Sequence, residues 1–167
     1  MRDLTNETSK GGGAMTQECE VKQVDPILAA VLDSRFNAIV DLVAGAMMRT
    51  SMSPIFAEAR DIAAAIFDKD LRLIAQRDWL PVLASNCSVA IKEIAESWEG
   101  EIDEGDVFIH NDAFGRNSHQ PDVNVAKPIF YNGKIAFWAM AKGHHADIGG
   151  KGICGYNPEA SSCWDDG

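Results

Sequence analysis

Residues 123–141 read V-N-V-A-K-P-I-F-Y-N-G-K-I-A-F-W-A-M-A. Two runs rich in Val, Ile, Phe and Trp flank Asn132-Gly133. That dipeptide is the strongest short-range hairpin signal, because a two-residue type I′ turn needs φ > 0 at both central positions. The hairpin decides what its flanks mean. Before it stands G-R-N-S-H-Q-P-D, with His119 and Asp122; after it stands K-G-H-H-A-D-I-G-G, with His144, His145 and Asp147. Folding the ribbon back brings both groups to one edge of the sheet. Imidazole and carboxylate donors together suit Mn, Fe or Zn, and three protein ligands leave positions open for water or substrate, the pattern of a catalytic centre. The same residues also have a plain structural reading: histidines near turns hydrogen-bond backbone, and Asp before Gly-Gly closes a turn. On spacing alone both readings stand.

Outward from the hairpin, V-F-I at 107–109 predicts a short strand that delivers His110, Asn111 and Asp112 to the first group; Asn111-Asp112 either binds ligand or shapes the turn. Val89, Ile91, Ile94, Ala95 and Trp98 recur with a helical period, predicting a helix from near Ser85 that Gly100 ends. I-A-A-A-I-F-D (62–68) is an apolar run of strand length, and Leu71 to Gln76 alternates, so the two predict an earlier hairpin. Arg60-Asp61 just ahead of it reads as a solvated turn or a local ion pair. Asp25 can cap a helix that Pro26 opens, and Ile27, Val31, Leu32, Phe36, Ile39, Val40, Val43, Met47 and Met48 carry its apolar stripe to about Arg49, before Thr50–Pro54 breaks it. Residues 1–24 are polar and contain Gly11-Gly12-Gly13, which predicts a disordered leader and makes Met15 a second candidate start. The expected fold is α+β: a long N-terminal helix and a second helix packed on a mainly antiparallel sheet built from hairpins. With no clear end to the pattern at Gly167, residues 25–167 are expected to be the N-terminal part of a larger domain.

Composition narrows the function. A formal charge of −10 over 167 residues opposes non-specific attraction to nucleic acid or anionic membranes. No apolar run approaches the roughly 20 residues needed to span a bilayer, and the first residues lack the apolar core of a signal peptide, so a cytoplasmic location is expected. Cys19, Cys87, Cys154 and Cys163 form no C-x-x-C and are expected as free thiols. Neither G-x-x-x-x-G-K nor G-x-G-x-x-G occurs, so ATP, if the reaction uses it, is bound elsewhere.

Taken together, Asp25-Pro26, A-R-D-I-A-A-A-I-F-D, L-I-A-Q, G-D-V-F-I-H-N-D, S-H-Q-P-D-V and G-H-H-A-D-I-G-G resemble, over residues 25–167, the N-terminal part of the hydantoinase B/oxoprolinase family. Its members act in N-methylhydantoinase, 5-oxoprolinase and the ATP-dependent acetone and acetophenone carboxylases, and are longer than this chain. The resemblance implies a divalent metal, Mn foremost with Zn or Fe as alternatives, held by His119, Asp122 and His144. It makes His145 and Asp147 candidates for orienting a ligand or for general-base catalysis. It further implies an ATP-binding hydantoinase A-like partner subunit, the remainder of a hydantoinase B-like chain, and a small-molecule ketone or cyclic amide as substrate. Ser118-His119-Gln120 is closest to the ketone carboxylases. The first expectation is therefore a fragment of a ketone carboxylase's metal-binding subunit, carboxylating an activated enol. The alternatives are a cyclic amide hydrolase subunit and a non-catalytic assembly piece. The chain departs from many members in carrying Arg116-Asn117-Ser118 where they have two glycines and a threonine; Arg116 either contacts an anion or faces solvent.

Overall fold

The computed structural model describes residues 24–153, 157–165 and 167. The leader expected over 1–24 lies, apart from Val24, outside them. Helix α1 runs Pro26–Thr50; the Asp25 side chain accepts from the Ile27 N–H at 2.9 Å, and the Ser51 N–H closes the last turn on Met47. A one-turn helix α2, Pro54–Ala57, follows where no helix was expected. Proline at its first position presets φ there, and the Phe56 and Ala57 amides both return to the Ser53 carbonyl.

Five antiparallel strands follow: β1 (Ile62–Asp68), β2 (Leu73–Asp78), β3 (Phe108–His110), β4 (Asp122–Tyr131) and β5 (Lys134–His144), in the order β2-β1-β5-β4-β3. Helix α3, Pro81–Ser97, connects β2 to β3 and starts a turn before the expected Ser85, because Pro81 opens it. β2 begins at Leu73 rather than Leu71. The Asp68 carboxylate accepts from the amides of Asp70 and Arg72, both at 2.8 Å, and holds Leu71 in the turn at φ 60°. The Asn132-Gly133 turn is as expected, with φ of 51° and 72° and Tyr131 paired with Lys134 across it.

The sheet separates two cores. Ala63, Ala65, Phe67, Trp138 and Met140 pack on α3 residues Leu83, Cys87, Ala90, Ile91 and Ile94. On the other side Ile62, Ala64 and Ile66 meet Val40 and Ala44 of α1. β1 is central and covered on both faces, which is why its sequence is an unbroken apolar run rather than an alternating one. α1 lies over β1 and β2, leaving a groove of about 370 Å³ beside the outward faces of β4 and β5, where Val125 and Ile129 are exposed. The fold is α+β with an open sheet, as expected of part of a larger domain. Among the described residues no helix is long and apolar enough to cross a membrane. Cys87 is a buried free thiol and Cys163 a partly exposed one; Cys19 and Cys154 fall outside the described residues.

Candidate metal centre

Period-two alternation places Trp138, Met140, Lys142 and His144 on the α3 side of β5. Register sets Ala126, Asn124 and Asp122 of β4 directly opposite the last three. The face is therefore apolar in its middle and turns polar at the edge where the hairpin's two ends meet. There the Asp122 carboxylate is 2% exposed and stands between two imidazoles: Oδ2 is 3.2 Å from His119 Nδ1, and Oδ1 is 3.2 Å from His144 Nδ1. The ring centroids are 4.9 Å apart. One donor atom from each of the three residues falls within 4.8 Å of the other two. His119 is 41% exposed and His144 14%, so the group opens to solvent on the His119 side.

These residues fit a divalent cation. An N,N,O set with an open side matches Mn, Fe or Zn. Two Nδ1 atoms converging on one buried carboxylate also need either two protons or one cation between them.

The loop carrying His119 is fixed from behind. Asn117, 8% exposed, donates Nδ2 to the carbonyls of His119 (2.9 Å) and Asp122 (2.6 Å), stapling the two ends of S-H-Q-P-D. Its Oδ1 accepts from Lys142 Nζ and Asn124 Nδ2, each at 3.0 Å. Arg116, at φ 62° and with a side chain that stays partly in solvent, reaches α3 to pair with Glu93 (3.2 Å) and Glu96 (2.8 Å). Asp112 shapes its turn by accepting from the Phe114 amide, and Asn111 Nδ2 donates to the Gln120 carbonyl. Gln120, Asn111, Asp112, Phe114 and Trp164 line a cleft of about 420 Å³.

His145 and Asp147 stand outside the three-residue group. His145 is exposed, with its ring edge-on to Phe56 at 5.3 Å between centroids. Asp147 is exposed and accepts from the Gly149 amide at 2.8 Å. Four residues were not recognised from the sequence as neighbours of the site. Lys142 is wholly buried, and desolvation holds its ammonium below the usual lysine range against the pull of Asp122. Asn124 is also buried, and among the described residues its Oδ1 has no hydrogen-bond partner. Both keep phase with Met140 and Ala126, a signal that strand alternation contains. Asn86 of α3 carried no such signal.

Asp61 is the fourth. Burial pushes its carboxyl above the ordinary range, His144 opposes the rise and Asp122 adds to it. Ile62 pairs with Gly143, which sets Asp61 opposite His144, and the His144 amide donates to the Asp61 carbonyl at 3.0 Å. Of the two readings of Arg60-Asp61, the solvated turn holds: Arg60 is exposed at φ 55°, with its guanidinium 5.9 Å from the Trp79 ring centre rather than paired with Asp61.

Residues 25–167 match the model of the family described as Hydantoinase B/oxoprolinase. The chain is 37% identical over 144 residues to the caprolactamase beta subunit of Pseudomonas jessenii, covering 86% of this chain and 25% of that protein. It is 34% identical over 151 residues to a 5-oxoprolinase of Pestalotiopsis fici, covering 90% of this chain and 12% of that one. Among solved structures, the ATP-dependent caprolactamase of Pseudomonas jessenii superposes with a TM-score of 0.80 at 36% identity, over 87% of this chain and 25% of that one. Acetone carboxylase in its nucleotide-free form gives 0.69 at 25% identity, over 75% and 17%. The chain thus spans a quarter or less of the length of these relatives.

Proposed function

The chain belongs to the hydantoinase B/oxoprolinase family, and from that premise we propose that it forms the metal-binding part of an ATP-dependent enzyme acting on a carbonyl substrate, a cyclic amide in the first place. The observation that carries the proposal is the convergence of His119, Asp122 and His144 from opposite ends of one hairpin. The choice of amide over ketone draws on the likeness to caprolactamase and 5-oxoprolinase. Ketone carboxylation, the first expectation from the sequence, becomes the second reading, supported by Ser118-His119-Gln120 and the likeness to acetone carboxylase.

In either reaction His119, Asp122 and His144 hold a divalent cation, Mn foremost. When bound, such an ion polarises a carbonyl and stabilises charge developing on its oxygen, or lowers the pKa of a water to make it a nucleophile. Asp122 supplies the anionic donor, buried so that its charge acts at low dielectric. His119 lies on the open side, where substrate enters. His145, exposed and next in the chain to His144, is the better placed of the two candidate bases, since Asp147 already accepts from Gly149. ATP is used by a hydantoinase A-like partner subunit in the cytoplasm, and the remainder of a hydantoinase B-like chain completes the site; the name of the caprolactamase beta subunit supports such a division.

The test assembles the chain with its continuation and an ATP-binding partner. ATP-dependent ring opening of a lactam or 5-oxoproline supports the amide reading. Bicarbonate-dependent consumption of a ketone instead favours the second, and no metal bound by the assembly sinks both.

A further inference from the structure

Lys142 is an expensive residue for the fold to bury. On its face of β5 it stands between Met140 and His144, and an apolar side chain of similar length would extend the apolar run of Trp138 and Met140. Replacing both members of a buried ion pair by apolar groups is often neutral for stability, whereas removing one alone is costly.

The ammonium is instead fully used. Its three N–H groups meet Asn86 Oδ1 (2.6 Å), Asn117 Oδ1 (3.0 Å) and Ser118 Oγ (2.9 Å). Asp122 Oδ2, 3.5 Å away, is reached through Ser118: with Lys142 on its lone pair, the serine hydroxyl donates its proton to that carboxylate oxygen. Asn117, held by the same ammonium, staples the carbonyls of His119 and Asp122. Asn86 in turn donates Nδ2 to the Arg116 carbonyl at 3.1 Å, so every link ends on a donor residue of the centre or on its loop.

We infer that Lys142 is a positioning residue for the metal centre, fixing the Asp122 carboxylate through Ser118 and the His119 loop through Asn117 before the cation arrives. The inference rests on the metal-centre reading. The competing role, plain charge compensation, has the opposite sign. An ammonium near the site repels an incoming cation, so if neutralising Asp122 were its whole purpose, removing it would tighten metal binding. If it positions the donors, removing it loosens binding despite the Coulomb gain.

The experiment titrates Mn(II) into the 167-residue chain and its variants at fixed pH, following affinity by calorimetry and coordination by electron paramagnetic resonance. Lys142→Met and Ser118→Ala are expected to bind Mn(II) roughly ten- to a hundredfold more weakly with an altered resonance signal, while Ser118→Thr keeps the wild-type affinity. Unchanged or tighter binding by Lys142→Met, in a chain that circular dichroism shows to be folded, overturns the inference. Should that variant not fold, Ser118→Ala, at an exposed position, decides by the same criterion. The imidazole nitrogen resonances of His119 and His144 in the metal-free chain supply a separate reading: Ser118→Ala shifts them if Asp122 loses its anchor, and unshifted resonances overturn the inference. Where the wild-type chain alone takes no Mn(II), the same titration is made on its assembly with the continuation; no binding there removes the metal-centre reading, and those resonances still judge whether Lys142 and Ser118 position Asp122.

Discussion

Asp122 and His119 touch each other, yet their removal should cost very different amounts. Asp122 is buried against Lys142, so Asp122→Ala leaves a buried ammonium without its counter-charge and is expected to destabilise the metal-free chain by about 3 kcal/mol or more. His119 is far more exposed, and His119→Ala should cost under about 1 kcal/mol. Both are expected to abolish the rise in Tm that Mn(II) gives the wild type. Urea unfolding with and without metal checks the pair, and equal costs would show Asp122 to be no more buried in solution than His119. Cys87 offers a pH test. Desolvation pushes its thiol up from 9.0 to about 11. The folded pKa is the raised one, so its contribution is full below about pH 9 and is lost as pH climbs through 11. At ~1.4 kcal/mol per pKa unit this is about 3 kcal/mol. The difference in unfolding free energy between wild type and Cys87→Ala should follow that window, with the folded thiol unreactive to alkylating reagents at pH 7.

At the scale of elements, the hairpin's flank is pinned by the one-turn helix α2. A Cβ built on Gly143 would lie 2.3 Å from the Phe56 ring, so the glycine is there to admit that ring beside His144. Gly143→Ala is expected to cost about 2 kcal/mol, and Phe56→Ala in the same chain to recover part of it. A double-mutant cycle measures the coupling, and additive costs would mean the ring moves aside freely. Helix α3 contributes differently: Asn86, Glu93 and Glu96 all bond the 116–118 loop or Lys142, so the helix that fills one core also holds the donors' loop.

The whole molecule shows a sheet covered on one side and half covered on the other. Ile39, Val43, Val125 and Ile129 are exposed around the groove beside β4 and β5. Apolar patches of this kind mark surfaces that another element covers, in keeping with a chain that spans a quarter or less of its relatives. The isolated chain is expected to self-associate and to bind a hydrophobic dye. Val125→Lys with Ile129→Lys should reduce both while leaving the Mn(II)-induced rise in Tm intact, as analytical ultracentrifugation and thermal scans would show. Loss of the metal response in that variant would mean that the patch and the centre are not independent.

The amino-acid sequence by itself determined α1, α3, the five strands and the pairing of β4 with β5, though not the one-turn α2. Asn-Gly accepts positive φ at two successive positions, period-two and period-3.6 patterns separate strand from helix, and Pro and Asp mark helix starts; all of these act over a few residues. It also placed His119, Asp122 and His144 at one sheet edge, since a hairpin with a known turn fixes which residues face each other. Only the tertiary structure decided what surrounds them. Asn86 and Asp61 arrive on elements distant in the chain, and the burial of Lys142 depends on α3 packing over β5. Whether a polar side chain in a strand faces water or a core is set by what covers that face, and local sequence does not specify the cover.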